Sequence, residues 1–152
     1  MTLRIVLATV HLLALGIGLG AVWARARALR GAVGPGEVRR ALTADAWWGV
    51  AAALWLTTGL WRLLAGTEKA TDYYLGNHAF LGKLGLFVVI LLLEIRPMLT
   101  MARWRKAVAR GEMPGTDAAR GISTISTIEA IIVVVMVAMA AVMARGLGST
   151  DG

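Results

Sequence analysis

The chain has 152 residues, of which 58% are hydrophobic and only 16% charged, with a mean hydropathy of +0.70. Soluble domains carry nearer a quarter charged residues, and here the apolar residues come in long blocks, which excludes an ordinary soluble domain and points to a polytopic membrane protein. The net charge of +7 sits in segments between those blocks, which argues against nucleic acid as a partner, and the absence of cysteine excludes disulfides and thiolate metal sites.

The first apolar block runs over residues 3–23, long enough at 1.5 Å per residue to cross the hydrocarbon, with His11 as its one ionisable residue after Arg4. Ala24-Arg25-Ala26 mimics a signal-peptide cleavage site, but the run exceeds a usual signal core and reads as a mature helix. Gly16 and Gly20 form a small-xxx-small pair that predicts close contact with a neighbouring helix.

A basic loop follows, with Arg25, Arg27, Arg30, Arg39 and Arg40, and Gly34-Pro35-Gly36 reads as a helix break. Thr43 or Asp45 is expected to cap a second helix over residues 46–64. In it Trp47 and Trp48 mark one membrane interface and Trp61 the other, while Arg62 snorkels at the end.

The stretch from Thr67 to Pro97 organises the rest. Glu68, Lys69, Asp72, Tyr73, Tyr74, Asn77 and His78 gather where the chain enters the bilayer, ahead of a third helix over residues 77–101. That helix carries Lys83 and Glu94 inside its apolar run, each costing a few kcal/mol unless other helices compensate it. Lys83, Phe87, Ile90, Glu94 and Pro97 follow 3–4 spacing, so one face points inward, and Pro97 predicts a kink near the end.

A second basic loop holds Arg103, Arg105, Lys106, Arg110 and Arg120, with Trp104 at the interface and turn residues Gly111 and Pro114-Gly115. The fourth helix, residues 121–144, opens on Ser123, Thr124, Ser126 and Thr127, places Glu129 one to two turns inside, and continues with a packing stripe of Met136, Met139 and Met143. The expected fold is therefore all-α: one integral-membrane four-helix bundle over residues 1–152. The basic loops place both termini outside, in the periplasm, of a multi-pass protein of the bacterial inner membrane.

Two polar levels result. On the outer side His11 lies roughly 12 Å down helix 1 and Lys83 roughly 9 Å down helix 3, with His78 nearer the surface. A neutral imidazole suits iron, which makes His11, Lys83 and His78 candidate ligands of a haem or similar flat cofactor, with His11 on the iron. The competing reading is that His11 is a polar bridge in a packed bundle. On the inner side Glu94, Arg96 and Glu129 form a polar cluster, Glu94 being either protonated or paired with Arg96 or an arginine of the basic loops. Such pairs more often fix geometry than carry chemistry.

The run from His11 to Arg105 resembles a family of small predicted bacterial membrane proteins of unknown function. The likeness rests on Gly66-x-Glu68-Lys69, Tyr73-Tyr74-Leu75-x-Asn77, Phe80-x-x-Lys83-x-Gly85-Leu86-Phe87, Leu93-x-Ile95-x-Pro97 and Trp104-Arg105. It implies four transmembrane helices and no particular activity. More distantly the layout is similar to four-helix haem-associated membrane proteins of the HemJ and CopD types, where a His in the first helix and a Lys in the third match His11 and Lys83. Three functions follow as expectations: a haem- or cofactor-binding membrane oxidoreductase, a non-catalytic subunit or assembly partner of a larger membrane complex, and a small transporter. A homo-oligomer is compatible with each.

Overall fold

The computed structural model describes the backbone of residues 2–64 and 78–144, and their side chains except at 62–63, 78–80 and 143–144. The polar entry around Glu68, Lys69, Asp72, Tyr73, Tyr74 and Asn77 lies outside the described residues, as do the side chains of Arg62, His78 and Met143. Four helices make up the described residues: α1 (Thr2–Ala28), α2 (Pro35–Leu64), α3 (His78–Ala109) and α4 (Ala119–Ala144).

The first three helices are longer than hydropathy suggests, and the local chemistry says why. Helix α1 continues through Arg25 and Arg27 because Arg25 has buried carboxylate partners. Helix α2 starts at Pro35, not at residue 46: the Gly34-Pro35-Gly36 sequence begins the helix instead of breaking it. Proline at the first helical position loses no hydrogen bond that a helix would have made. Glu37 then reaches back, its Oε2 accepting the Gly34 N–H at 3.1 Å, while Val38 N–H donates to the Gly34 carbonyl. This is the second half of a capping box. Thr43 and Asp45, expected as caps, are mid-helix; Thr43 donates to the Arg39 carbonyl. Helix α3 passes through the buried Pro97 and ends where Gly111 takes φ 75°. There Gly111 N–H bonds the Val108 carbonyl and Glu112 N–H the Ala107 carbonyl, a Schellman closure that needs the left-handed residue.

Three of the helices, α1, α3 and α4, are long and apolar enough to cross a membrane. Helix α2, expected as a fourth span, does not meet that measure among the described residues. Its acidic and basic first half and its four tryptophans lower its hydropathy. Trp47 and Trp61 are exposed, but Trp48 is a core residue, and so is Trp104, expected at the interface.

Around the bundle α1 packs on α2 and α4, and α4 on α3, whereas α2 and α3 barely touch. The α1–α2 pair is antiparallel, His11 meeting Thr58 and Arg25 meeting Asp45. The close approach in that pair occurs at Gly18, where an added Cβ would stand 3.3 Å from the Trp48 ring. Gly16 and Gly20, expected to play that part, face open space; they lie on the side of α1 turned away from α2.

Buried side chains form two apolar layers. One contains Val22, Trp48, Ile90, Val133 and Met136; the other contains Leu29, Val38, Met101, Trp104 and Ile122. On each of the four helices a charged residue falls between them: Arg25 between Val22 and Leu29, Asp45 between Ala41 and Trp48, Glu94 between Ile90 and Met101, and Glu129 between Ile122 and Val133, with Pro97 and Ser126 filling the intervening turn on α3 and α4. A charged layer is thereby held between two apolar ones.

Candidate functional site

Arg25 is the centre of that layer, with a side chain 0% exposed. A guanidinium has five N–H donors in a planar fork. All are used here: Nε donates to Ser126 Oγ at 2.8 Å, Nη1 to Asp45 and to Glu94 Oε1 at 2.7 Å each, and Nη2 to Glu94 Oε2 at 2.7 Å and Glu129 Oε2 at 2.8 Å. The partners come from α2, α3 and α4, so one side chain of α1 joins all four helices. The Glu94 pair is bidentate, the geometry in which arginine and carboxylate bind most strongly. Asp45 also accepts from Arg105, whose side chain is 45% exposed and leads out of the layer. Ser123 adds a link, donating to the Ala26 carbonyl at 2.8 Å, one of the acceptors left open at the end of α1.

Two guanidinium groups, Arg25 and Arg105, face three carboxyl groups, and Glu129 is 0% exposed with its Oε1 making no hydrogen bond among the described residues.

Of the three residues expected in this cluster, Glu94 and Glu129 meet through Arg25. Arg96 is exposed, its guanidinium beside Gly121 on α4. Sequence reasoning put Arg25 in a loop and missed it as the hub, together with Asp45, Arg105 and Ser126. The signal was present: 22, 25 and 29 on α1, and 38, 41, 45 and 48 on α2, set an ionisable residue into an apolar stripe.

The second level is aromatic. His11 Nδ1 lies 2.9 Å from Thr58 Oγ1, and that hydroxyl donates to the Leu54 carbonyl at 2.6 Å. The Thr58 hydroxyl thus sits between the imidazole and the carbonyl of its own helix turn. The imidazole stacks on Trp55 at 5.1 Å, Trp55 tilts against Phe87 at 5.0 Å, and the His11 ring edge fits against Gly59. His11 therefore bridges α1 to α2, and the aromatic series carries the contact to α3. Lys83 stands one turn before Phe87 and is half-buried. Helices α1 and α3 are diagonal in the bundle.

Between the two levels, in the gap left where α2 and α3 separate, is a cavity of about 80 Å³. Gly18, Ala51, Ala52, Phe87 and Leu91 are among its lining residues, and Trp55 and Glu94 stand at its ends. Its accessible wall atoms are apolar. The Trp55 indole N–H is buried and makes no hydrogen bond among the described residues. Pockets for drug-sized ligands run about 300–1,000 Å³, so a tetrapyrrole does not fit this space as it stands. A group the size of a few methylenes does.

Long apolar helices tied by a buried charged layer define a helical integral-membrane protein. The chain belongs to the DUF2214 family of predicted membrane proteins, whose model matches residues 3–148. No match is found among curated proteins or among solved structures, and the likeness to the HemJ and CopD types gains no support from these comparisons.

Proposed function

We propose that the protein is a non-catalytic subunit or assembly partner of a larger complex in the bacterial inner membrane, and that the α2–α3 seam is where an apolar helix of its partner docks. The observation carrying this reading is the seam itself. The other neighbouring helices pack closely, while here small residues, Gly18, Ala51 and Ala52, border a dry gap. Small residues let helices approach within the bilayer. At roughly 24 cal/mol per Å³, an unfilled cavity of about 80 Å³ costs about 2 kcal/mol, which a partner side chain would recover. The polar groups favour the same reading, because Arg25 and its carboxylates are engaged with one another and His11 with Thr58. A photo-crosslinking residue at Ala52 or Leu91 is expected to trap another membrane protein in cells, and one at Ile131, exposed on α4, is not. Adducts with lipid alone at the seam would overturn the docking; adducts with a second copy would replace the hetero-complex by a homo-oligomer.

Both termini are placed in the periplasm, because the basic residues gather in the segments 25–40 and 103–120. A green fluorescent protein fused after Gly152 should stay dark; bright cells would reverse the orientation.

A second reading, a flat cofactor in an oxidoreductase role, is favoured by the aromatic level. A ligating histidine usually has its other ring nitrogen held by a fixed hydrogen-bond partner, and Thr58 stands 2.9 Å from His11 Nδ1. A haem on His11, with Lys83 or His78 nearby, would need the seam to open. An absorption spectrum of the haem-supplied parent beside His11→Ala decides: a Soret band lost in the variant supports this reading, and a parent without one removes it.

A further inference from the structure

A second surface has a different character. Where α1 ends and α2 begins, their outer faces border a groove of about 790 Å³. Arg27, Arg39 and Arg40 stand around it, Trp47 forms a wall, and Ile17 and Ala21 extend it toward the bilayer middle. All three arginines are exposed. Arg27 and Arg39 have no ion pair among the described residues, and Arg40 has only Glu37, at 3.9 Å and largely in solvent. On the far side of Trp47 a neighbouring groove of about 370 Å³, reaching down to Val50, shares Arg39, Thr43 and Trp47 with the first. Two largely apolar troughs thus descend on either side of one tryptophan, with Arg39 bordering both and Arg27 and Arg40 the larger.

We propose that this paired groove binds an anionic two-chain phospholipid, its phosphate held by Arg27, Arg39 and Arg40 and one acyl chain running down each side of Trp47. Guanidinium groups bind phosphate oxygens in a bidentate way. Tryptophan favours the headgroup level, where it stands when α1 spans. Basic pockets between membrane helices select anionic headgroups for the same reason. A zwitterionic lipid would fill the troughs but leave the guanidinium groups without a net anion; free phosphate would meet the arginines and leave the troughs empty.

The test is native mass spectrometry of the purified full chain in a neutral detergent, titrated with dioleoyl phosphatidylglycerol or dioleoyl phosphatidylcholine. The parent should retain phosphatidylglycerol preferentially. Each arginine is worth roughly fivefold in affinity, so Arg27→Gln with Arg39→Gln should weaken retention about 25-fold. Arg120→Gln, exposed in the other basic segment, should leave it unchanged. The paired Arg→Lys variant should recover much of the binding, which separates lost charge from lost fold. Equal retention of the two lipids, an unaffected double glutamine variant, or displacement by millimolar inorganic phosphate would each overturn the proposal.

Discussion

Arg25→Met is expected to leave little folded protein. The substitution removes five hydrogen bonds and one of two cations, and strands Glu94 and Glu129 with no other basic partner among the described residues. Removing one partner of a buried ion pair costs about 3–5 kcal/mol, and here more than one pair is broken. Domain stabilities of about 5–15 kcal/mol leave little margin for such a loss. Arg25→Lys should fall between parent and Met, because an ammonium offers three donors where five bonds are made and cannot match Glu94 with a fork. Fluorescence-detected gel filtration after graded heating reads both. A Met variant melting with the parent would show that the layer does not hold the helices.

The second large effect separates two carboxylates of the same type. Glu94→Gln should lower the melting temperature strongly. Both Glu94 oxygens accept from Arg25, so a glutamine must turn its NH2 against an arginine N–H and loses the bidentate pair. The loss should be on the order of 3 kcal/mol. Glu129→Gln should be nearly neutral. Glu129 uses only Oε2 toward Arg25, which an amide oxygen replaces, and its Oε1 makes no bond to lose. The substitution also removes one carboxylate from a layer that has three against two guanidinium groups. The same heating assay distinguishes them; equal loss in both variants would contradict the charge count.

The inward face of α3 was legible from the spacing of Phe87, Ile90, Glu94 and Pro97, and the burial of Ile90 and Pro97 agrees with it. Glu129 was legible from its depth, one to two turns inside α4. Arg25 was not, because a helix end judged by hydropathy stops at Trp23, and an arginine past that point reads as loop. What carries α1 onward is a set of partners 20, 69 and 104 residues away, which local composition does not reveal. The start of α2 was misplaced for the opposite reason. Gly34-Pro35-Gly36 contains two helix-disfavouring residue types, and only the following Glu37 marks it as an entry. Gly16 and Gly20 have the spacing of a contact pair, but the face α1 turns to α2 is set by Ala14, Gly18, Val22 and Arg25, on nearly the opposite side of the helix.

The central claim is that one buried arginine couples the four described helices, and a double-mutant cycle on Arg25 and Glu94 tests it most directly. Thermal or denaturant stability would be measured for the parent, Arg25→Gln, Glu94→Gln and the double variant in one detergent. If the two groups stabilise the bundle through each other, the double variant should be little worse than the poorer single one, with a coupling on the order of 2–3 kcal/mol. Strictly additive losses would contradict the account, because they would mean that Arg25 and Glu94 act independently in the folded protein.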